Sequence, residues 1–298
     1  MALESILLKG LLMSCNEYEM TIAERPIGAN APPYVIAELS ANHNGNIETA
    51  LRIIEEAKNA GADAVKLQTY TADTITLNSD TEDFQIHGGL WDGRTLYDLY
   101  QEAHTPWAWH APLFEHARSL DITIFSSPFD NTAVDLLEDL NAPAYKIASF
   151  EVVDLELIKY VASTGKPMII STGMADAEEI QEAIDAARTG GCKELAILQC
   201  VSGYPALARD YNLRTIPDMI KRFGLVTGLS DHTLDNTTAI ASVAMGASII
   251  EKHFTLNRSG GGPDDSFSLE PADLLALCRD ARTAWEAMGK VDYGLKSS

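Results

Sequence analysis

The sequence alternates about eight times between a short apolar run and a longer amphipathic segment. Continuous apolar runs are typical of strands buried on both faces, and the amphipathic segments between them are typical of covering helices. The predicted strands are YVIAEL, AVKLQT, ITIFSS, AYKIAS, PMIIST, LAILQC, LVTGLS and SIIEKHF, which begin at residues 34, 64, 122, 144, 167, 195, 225 and 248. The predicted helices cover residues 47–61, 133–140, 155–163, 177–189, 216–223, 237–245 and 272–288, with one more that starts near Pro106. Eight such units that close on themselves form a TIM (β/α)8 barrel, and we predict this α/β fold.

The barrel accounts for most of the chain, because no linker rich in proline, glycine or serine interrupts the alternation. We therefore predict one barrel domain over residues 34–298. Residues 1–33 form an N-terminal extension, and the segment MTIAERPIGANAPP within it is predicted to make a hairpin that plugs the amino-terminal mouth of the barrel. The apolar run from Ser5 to Ser14 is interrupted by Lys9 and lacks the pattern of a signal peptide, so we assign it to the same extension.

The charge of the chain limits its partners. Its 43 acidic and 22 basic residues give a formal net charge of -21, which repels nucleic acid and anionic membrane surfaces. No apolar stretch approaches the ~20 residues that a membrane span needs. Four scattered cysteines without a CxxC spacing indicate a reducing compartment. We therefore expect a cytoplasmic protein that binds neither nucleic acid nor membranes.

The carboxyl ends of the predicted strands are unusually polar, and a TIM barrel carries its active site there. His232 and His253 lie near the ends of the last two strands. A neutral imidazole is the commonest protein ligand for a transition metal, whereas a single histidine in a loop is more often only a hydrogen-bonding residue. The pair favours a metal site with free coordination positions.

Two lysines on non-adjacent strands, Lys66 and Lys146, are predicted to point into the barrel. A buried ammonium group requires a partner, which is either a bound anion or an internal carboxylate such as Glu38 or Glu251. Three serines are predicted at the same rim, namely Ser149, Ser171 and Ser230. Hydroxyl groups that converge with lysines favour a phosphate or carboxylate anion. The Schiff-base lysine of an aldolase is the competing interpretation for either lysine.

Two segments at the same rim are candidates for ligand contact. After Thr69 the chain runs to about Pro106 before the next predicted helix, and so long a loop after a strand favours a binding loop over a surface excursion. The segment RSGGGPDDSFS after the eighth strand lets the backbone approach a ligand. Within it, Asp264 is a candidate for sugar contact or proton transfer, and Asp265 is interpreted as a solvated neighbour.

Eight segments of the chain, taken in order, resemble the sialic acid synthase family of phosphoenolpyruvate-dependent sugar-acid synthases. They are AELSANHNG, ADAVKLQT, FSSPFD, YKIASFE, STGMA, GLSDHT, GASIIEKHFT and GGPDDSFS, and together with CVSGYPA at the end of the sixth strand they represent every predicted strand between residues 34 and 295. Within the family, GGLWDGRTLYDLYQEAHTPWAWH, CVSGYPA and GGGPDDSFSLEP are more similar to the pseudaminic acid branch than to the N-acetylneuraminate branch. Ser202 stands where the N-acetylneuraminate branch tends to carry Asn.

The resemblance implies a condensation of phosphoenolpyruvate with the open-chain aldehyde of an N-acetylated amino sugar. Phosphate is released, and the product is a nine-carbon 2-keto acid. For the pseudaminic branch the sugar is 2,4-diacetamido-2,4,6-trideoxy-L-altrose, and the alternative is the same chemistry on N-acetylmannosamine. A metal-dependent aldolase or isomerase on the same barrel is a further alternative, because this fold hosts many chemistries.

The resemblance also implies a role for each site residue. Phosphoenolpyruvate would be held by Lys66, Ser127, Lys146, Ser149, Ser171 and Ser230, the sugar by Gln68, Ser202 and Tyr204, and a divalent metal, Mn²⁺ or Mg²⁺, by His232 and His253. Glu38 would be the general base for water, and Asp264 would help to orient the sugar or a water molecule.

Members of the family usually continue into a small C-terminal antifreeze-like domain, whose arginine reaches the sugar site of the partner in a homodimer. The sequence stops at Ser298, where the connecting linker would begin, so we expect a barrel that lacks this domain. We also expect a homodimer. The absence of the arginine leaves open a catalytically silent barrel that binds phosphoenolpyruvate without releasing phosphate.

Overall fold

The structure, a computed structural model, describes residues 18–294. At its centre, eight parallel strands form a closed barrel in which each strand pairs with the next along the chain and the last pairs with the first. These strands are β3 (Tyr34–Glu38), β4 (Ala64–Thr69), β5 (Thr123–Pro128), β6 (Tyr145–Ile147), β7 (Met168–Ser171), β8 (Leu195–Cys200), β9 (Val226–Ser230) and β10 (Ile249–His253). The predicted TIM barrel is confirmed. The run from Ser5 to Ser14 lies outside the described residues.

Helices cover the outside of the barrel between successive strands. They are α1 (Ile47–Asn59), α4 (Trp107–Ser119), α5 (Asn131–Asp139), α6 (Leu155–Ala162), α7 (Ala177–Gly190), α8 (Thr215–Phe223), α9 (Thr237–Ala244) and α10 (Pro271–Met288). In α1 the buried residues are Ala50, Ile53, Ile54 and Ala57, the spacing of one apolar helix face. The helix begins where the side chain of Asn46 accepts a hydrogen bond from the backbone of Glu48.

The N-terminal hairpin closes one end of the barrel, as the sequence predicts. Strand β1 (Glu19–Ile22) pairs antiparallel with β2 (Arg25–Gly28). Met20, Ile22 and Ile27 are buried in one apolar cluster with residues that begin barrel strands, such as Ala64 and Ile249. Because the hairpin packs against the amino-terminal ends of the strands, the opposite end remains as the place for a ligand site.

The long segment between β4 and α4 contains more regular structure than the sequence analysis predicts. It includes two short helices, α2 (Ala72–Ile75) and α3 (Leu96–Ala103). Helix α3 begins where the Thr95 side chain accepts a hydrogen bond from the backbone of Asp98. The letters TLYD carry this start signal, a threonine followed three residues later by an acidic residue. The ring of Tyr100 on α3 lies 5.6 Å from that of Tyr70, which follows β4.

No helix between residues 18 and 294 combines the length and apolarity that crossing a membrane requires. Cys192, Cys200 and Cys278 are free thiols.

The packing of β9 against its neighbours gives a test of the barrel. A Cβ atom at Gly228 would lie 2.4 Å from the backbone oxygen of Ile249 and 2.8 Å from Cδ2 of Leu198. We therefore expect Gly228→Ala to lower the free energy of unfolding by ~1–3 kcal/mol, because the backbone must shift to admit the methyl group. Gly203→Ala, whose Cβ meets nothing closer than 3.7 Å, is the matched control. Equal unfolding midpoints for the two variants in urea would contradict this packing.

Candidate active site

The residues that the sequence predicts for the site come together at the carboxyl ends of the strands. Those with buried side chains are Glu38, Lys66, Ser127, Lys146, Ser149, Ser171, Ser230, His232, His253 and Asp264. Gln68, Ser202 and Tyr204 are half-buried at the same end. The barrel closure thus gathers residues from all eight strands or the loops that follow them.

Two lysines and two glutamates form the charged centre of the site. The Lys66 ammonium group lies 2.6 Å from Oε2 of Glu38 and 3.7 Å from Oε2 of Glu251. The Lys146 ammonium group lies 3.3 Å from Oε1 of Glu251. Both lysines therefore contact internal carboxylates. The sequence gives this arrangement as one of two alternatives, the other being a bound anion. Glu251 bridges the two lysines.

Burial and charge set the pKa values of this cluster in different directions. Burial raises the pKa of Glu38 to about 7, although Lys66 opposes the shift. Burial also acts to raise the pKa of Glu251, but Lys146 and Lys66 outweigh it and hold that pKa below its usual value. Glu38 is therefore the carboxyl group of the cluster that can exchange a proton near neutral pH, as a general base requires.

Serine hydroxyl groups surround the charged centre. Lys66 donates a hydrogen bond to Oγ of Ser127 at 3.2 Å, and Ser230 donates one to Glu251 at 3.1 Å. The backbone N–H of Gly173 donates to Oγ of Ser149 at 3.2 Å. The buried hydroxyl of Ser171 has no hydrogen-bond partner among the described residues. A buried hydroxyl without a partner costs free energy, and an anion bound beside the lysines would satisfy it.

The two histidines lie side by side, with ring centroids 5.4 Å apart. Nδ1 of His232 lies 2.8 Å from the carbonyl oxygen of Val201. Because a carbonyl can only accept, Nδ1 carries the hydrogen and Nε2 keeps its lone pair. Burial lowers the pKa of His232 to about 4 and that of His253 well below its usual value. Both rings are therefore neutral, the form that binds metals.

This donor set fits a divalent metal. The free Nε2 lone pair of His232 and the neutral ring of His253 are adjacent, and Oδ2 of Asp264 lies 3.8 Å from Nδ1 of His253. Among residues 18–294, no group of three or more His, Cys, Asp or Glu side chains is close enough to form a complete metal cluster. Two imidazoles supply only two ligands, so a metal held by them would keep open positions for water or substrate.

A chain of hydrogen bonds joins the two predicted catalytic carboxyl groups. Gln68 donates to Oε1 of Glu38 at 3.2 Å and to Oγ of Ser40 at 3.0 Å. Ser40 in turn donates to Oδ2 of Asp264 at 2.5 Å. Burial raises the pKa of Asp264. Ser40 is not among the predicted site residues, although it lies two residues after the end of the first barrel strand, in the polar segment AELSANHNG.

The two predicted sugar contacts on the loop after β8 lie beside the histidines. The Tyr204 ring lies 4.3 Å from the His232 ring and is tilted by 33° to it. The buried hydroxyl of Ser202 has no hydrogen-bond partner in the described part of the chain. A Cβ atom at Gly173 would lie 2.8 Å from Oγ of Ser202 and 3.0 Å from Oγ of Ser149, so glycine at this position lets both hydroxyls approach.

The interpretation of Asp265 as a solvated residue is wrong. Its side chain is buried, and Oδ2 accepts hydrogen bonds from the backbone N–H of Gly262 and from the side chain of Asn44, both at 2.9 Å. The other oxygen accepts from Thr255. Asp265 therefore shapes the glycine-rich loop that carries Asp264. The letters DD do not reveal that both adjacent carboxylates turn inward, because that depends on the path of the loop.

Comparison with known proteins places the chain in a family. The model of the NeuB family matches residues 53–293. The chain belongs to the NeuB family. It is 51% identical to the pseudaminic acid synthase of Helicobacter pylori over 259 residues, which cover 87% of this chain and 76% of that protein. It is 45% identical to the pseudaminic acid synthase of Campylobacter jejuni (strain 81-176) over 266 residues, 89% of this chain and 78% of that protein.

A solved structure agrees with this assignment. The N-acetylneuraminic acid synthetase of Leptospira borgpetersenii superposes on this NeuB-family chain with a TM-score of 0.84 at 29% identity, covering 94% of this chain and 93% of that one. The predicted membership of the sialic acid synthase family is therefore confirmed, together with the barrel.

Another buried ion pair, separate from the cluster of two lysines and two glutamates, lies next to the two histidines in sequence. The Lys252 ammonium group lies 2.8 Å from Oδ2 of Asp231, and both side chains are almost fully buried. The same ammonium group donates to the backbone oxygens of Thr233 at 2.8 Å and Asp235 at 2.9 Å. The pair thus ties the loop after β9 to the end of β10.

This pair gives a second prediction. Lys252→Met leaves the Asp231 carboxylate buried without its partner, so we expect the free energy of unfolding to fall by ~3–5 kcal/mol. In the double variant Asp231→Asn with Lys252→Met no charge is buried, and most of that loss should be recovered. Lys159→Met is the control, because Lys159 pairs with Glu156 at the exposed surface. Urea denaturation measures all three, and equal stability of the single and double variants would refute the prediction.

Proposed function

We propose that this NeuB-family chain condenses phosphoenolpyruvate with 2,4-diacetamido-2,4,6-trideoxy-L-altrose and releases phosphate and a nine-carbon 2-keto sugar acid. The observation that carries the proposal is the position of the lysine and glutamate cluster beside two neutral histidines at one mouth of the barrel. The identity of 51% and 45% to two pseudaminic acid synthases supports both the reaction and the choice of sugar.

The lysine cluster is suited to the anionic substrate. Lys66 and Lys146 would bind the phosphate and carboxylate groups of phosphoenolpyruvate, with hydroxyl groups that complete the cradle from Ser127, Ser149, Ser171 and Ser230. Because Glu38 and Glu251 already balance the two lysines, the entering substrate adds negative charge to the site. A neutral Glu38 reduces this repulsion, and its pKa of about 7 makes that form available.

The reaction requires one bond to form at carbon 3 and one to break at carbon 2. Carbon 3 of phosphoenolpyruvate bonds to the aldehyde carbon of the sugar, and the neutral Glu38 carboxyl group gives its proton to the aldehyde oxygen, which becomes a hydroxyl. Water then adds to carbon 2 and gives up a proton to the resulting Glu38 carboxylate, which restores the neutral form. The carbon–oxygen bond to phosphate breaks in the resulting tetrahedral intermediate. The keto group forms, and its proton leaves with the phosphate.

The remaining side chains bind and orient. Gln68, Ser202 and Tyr204 would contact the sugar, and Asp264 would orient it from the far end of the Gln68 and Ser40 chain. His232 and His253 would hold a divalent ion, Mn²⁺ or Mg²⁺. Such an ion supplies Lewis-acid polarisation of the sugar aldehyde when it is bound.

The proposal extends to the setting of the protein. We propose a cytoplasmic homodimer whose partners are phosphoenolpyruvate and the amino sugar, without nucleic acid or membrane contact. The net charge of -21 supports the exclusion of polyanionic partners, and the free thiols support a reducing compartment. The catalytic unit is proposed to begin at residue 34, after the hairpin.

Phosphate release tests the proposed reaction directly. The protein is incubated with phosphoenolpyruvate and Mn²⁺, together with the trideoxy-altrose sugar, with N-acetylmannosamine or without sugar. We expect release only with the trideoxy-altrose sugar. Release only with N-acetylmannosamine would overturn the choice of substrate. Binding of phosphoenolpyruvate without release in any mixture would overturn the reaction in favour of a silent binding barrel.

The raised pKa of Glu38 gives a prediction that needs no substrate. The neutral carboxyl group should persist up to a pH of about 7 and ionise above it, because burial disfavours the charged form. Infrared difference titration of the wild type against Glu38→Gln measures this transition. Glu151→Gln is the control, because burial also raises the pKa of Glu151 to about 7 and its band must be separated. A Glu38 band that disappears in the usual acidic range of carboxyl groups would contradict the assignment.

A further inference from the structure

We propose that Trp91 is a specificity-determining residue, whose ring forms the outer wall of the sugar subsite and selects a sugar that ends in a methyl group over one that ends in a hydroxymethyl group. The inference rests on the proposed function, because it assumes that an amino sugar binds beside the histidines. Trp91 lies in the segment GGLWDGRTLYDLYQEAHTPWAWH, but neither the resemblance nor the proposed mechanism gives this residue a role.

Trp91 connects two loops that the sequence analysis selects separately. It lies in a short helical turn of the long segment between β4 and α4, and its side chain is half-buried. The indole N–H donates a hydrogen bond to the carbonyl oxygen of Pro263 at 3.0 Å. Pro263 immediately precedes Asp264, so the long segment is held against the glycine-rich loop at the edge of the site.

The Trp91 ring begins a row of aromatic rings that ends at the candidate metal ligands. Its centroid lies 5.9 Å from that of Tyr204, which lies 4.3 Å from that of His232. Phe267 extends the row, since its ring lies 5.3 Å from Tyr204 and 5.0 Å from His253. Trp91 is therefore one ring away from the histidines, on the side where Tyr204 is predicted to contact the sugar.

The chemistry of this wall favours an apolar substituent. The single donor of the indole is already used by Pro263, and the indole has no acceptor, so Trp91 cannot replace the water that a sugar hydroxyl would lose. A methyl group has no hydrogen bonds to water that it could lose. Its contact with the ring is favourable because it removes apolar surface from water. The deoxy terminal carbon of the proposed sugar, and the methyl groups of its acetamido substituents, are suited to such a surface.

The test compares two sugars that differ only at the terminal carbon. These are 2,4-diacetamido-2,4,6-trideoxy-L-altrose and its analogue with a hydroxyl on carbon 6, and the measured quantity is the ratio of their kcat/KM values. In Trp91→Ala we expect this ratio to fall by about tenfold, the order of effect of a single apolar contact, while KM for phosphoenolpyruvate stays unchanged. Trp91→Phe keeps an aromatic ring without the N–H and should keep most of the preference. Leu90→Ala is the matched control, because Leu90 is an exposed neighbour in the same turn.

A ratio that is unchanged in Trp91→Ala, or that falls equally in Leu90→Ala, would overturn the proposal. Saturation-transfer NMR gives a second readout that needs binding but no turnover. In the wild type we expect the strongest transfer to the terminal methyl group of the trideoxy sugar, with loss of that transfer in Trp91→Ala. A wild type that releases no phosphate refutes the proposed reaction, and the transfer experiment then still decides the position of Trp91.

Discussion

An ammonium group inside a protein requires a counter-charge, and the centre of this barrel contains two such groups. Glu251 lies between Lys66 and Lys146, and Glu38 pairs with Lys66 from the neighbouring strand. These ion pairs let both lysines stay charged while they are buried at the mouth of the barrel. An isolated lysine buried there would lose its proton, because burial disfavours the charged form. The hairpin fills the other end with apolar side chains, so the polar site is confined to the carboxyl ends of the strands.

Strand β10 shows how one short strand serves several parts of the site. Residues two apart on a strand point to the same side, so Glu251 reaches the lysines while His253 reaches the neighbouring histidine. Lys252 lies between them and points the other way, toward Asp231. The same alternation thus provides the counter-charge, a candidate metal ligand and the tie to the loop after β9.

The sequence predicts the strands well because apolar runs and their polar ends are local features. AVKLQT and LAILQC coincide with β4 (Ala64–Thr69) and β8 (Leu195–Cys200), and the candidate site residues lie on the barrel strands or in the loops that follow them. Side-chain partners are harder to predict, because they depend on barrel closure. Glu251 contacts Lys146 although 105 residues separate them in sequence. The sequence alone therefore does not show whether Lys146 has an internal carboxylate as a partner, and the closed barrel does. The burial of Asp265 and the position of Trp91 likewise depend on how two long loops meet.

We propose that the buried lysines and serines form the phosphoenolpyruvate site, and a crystal structure of the protein with phosphoenolpyruvate would test this position. We expect the substrate to lie at the mouth of the barrel, within hydrogen-bond distance of Lys146 and of the hydroxyl of Ser171, which has no partner among the described residues. A cavity of about 780 Å³ on the outer side of the barrel is lined by residues that include Arg209 and Arg214. Phosphoenolpyruvate bound in that cavity, with the lysine cluster unchanged, would show that the lysines and serines do not form its site.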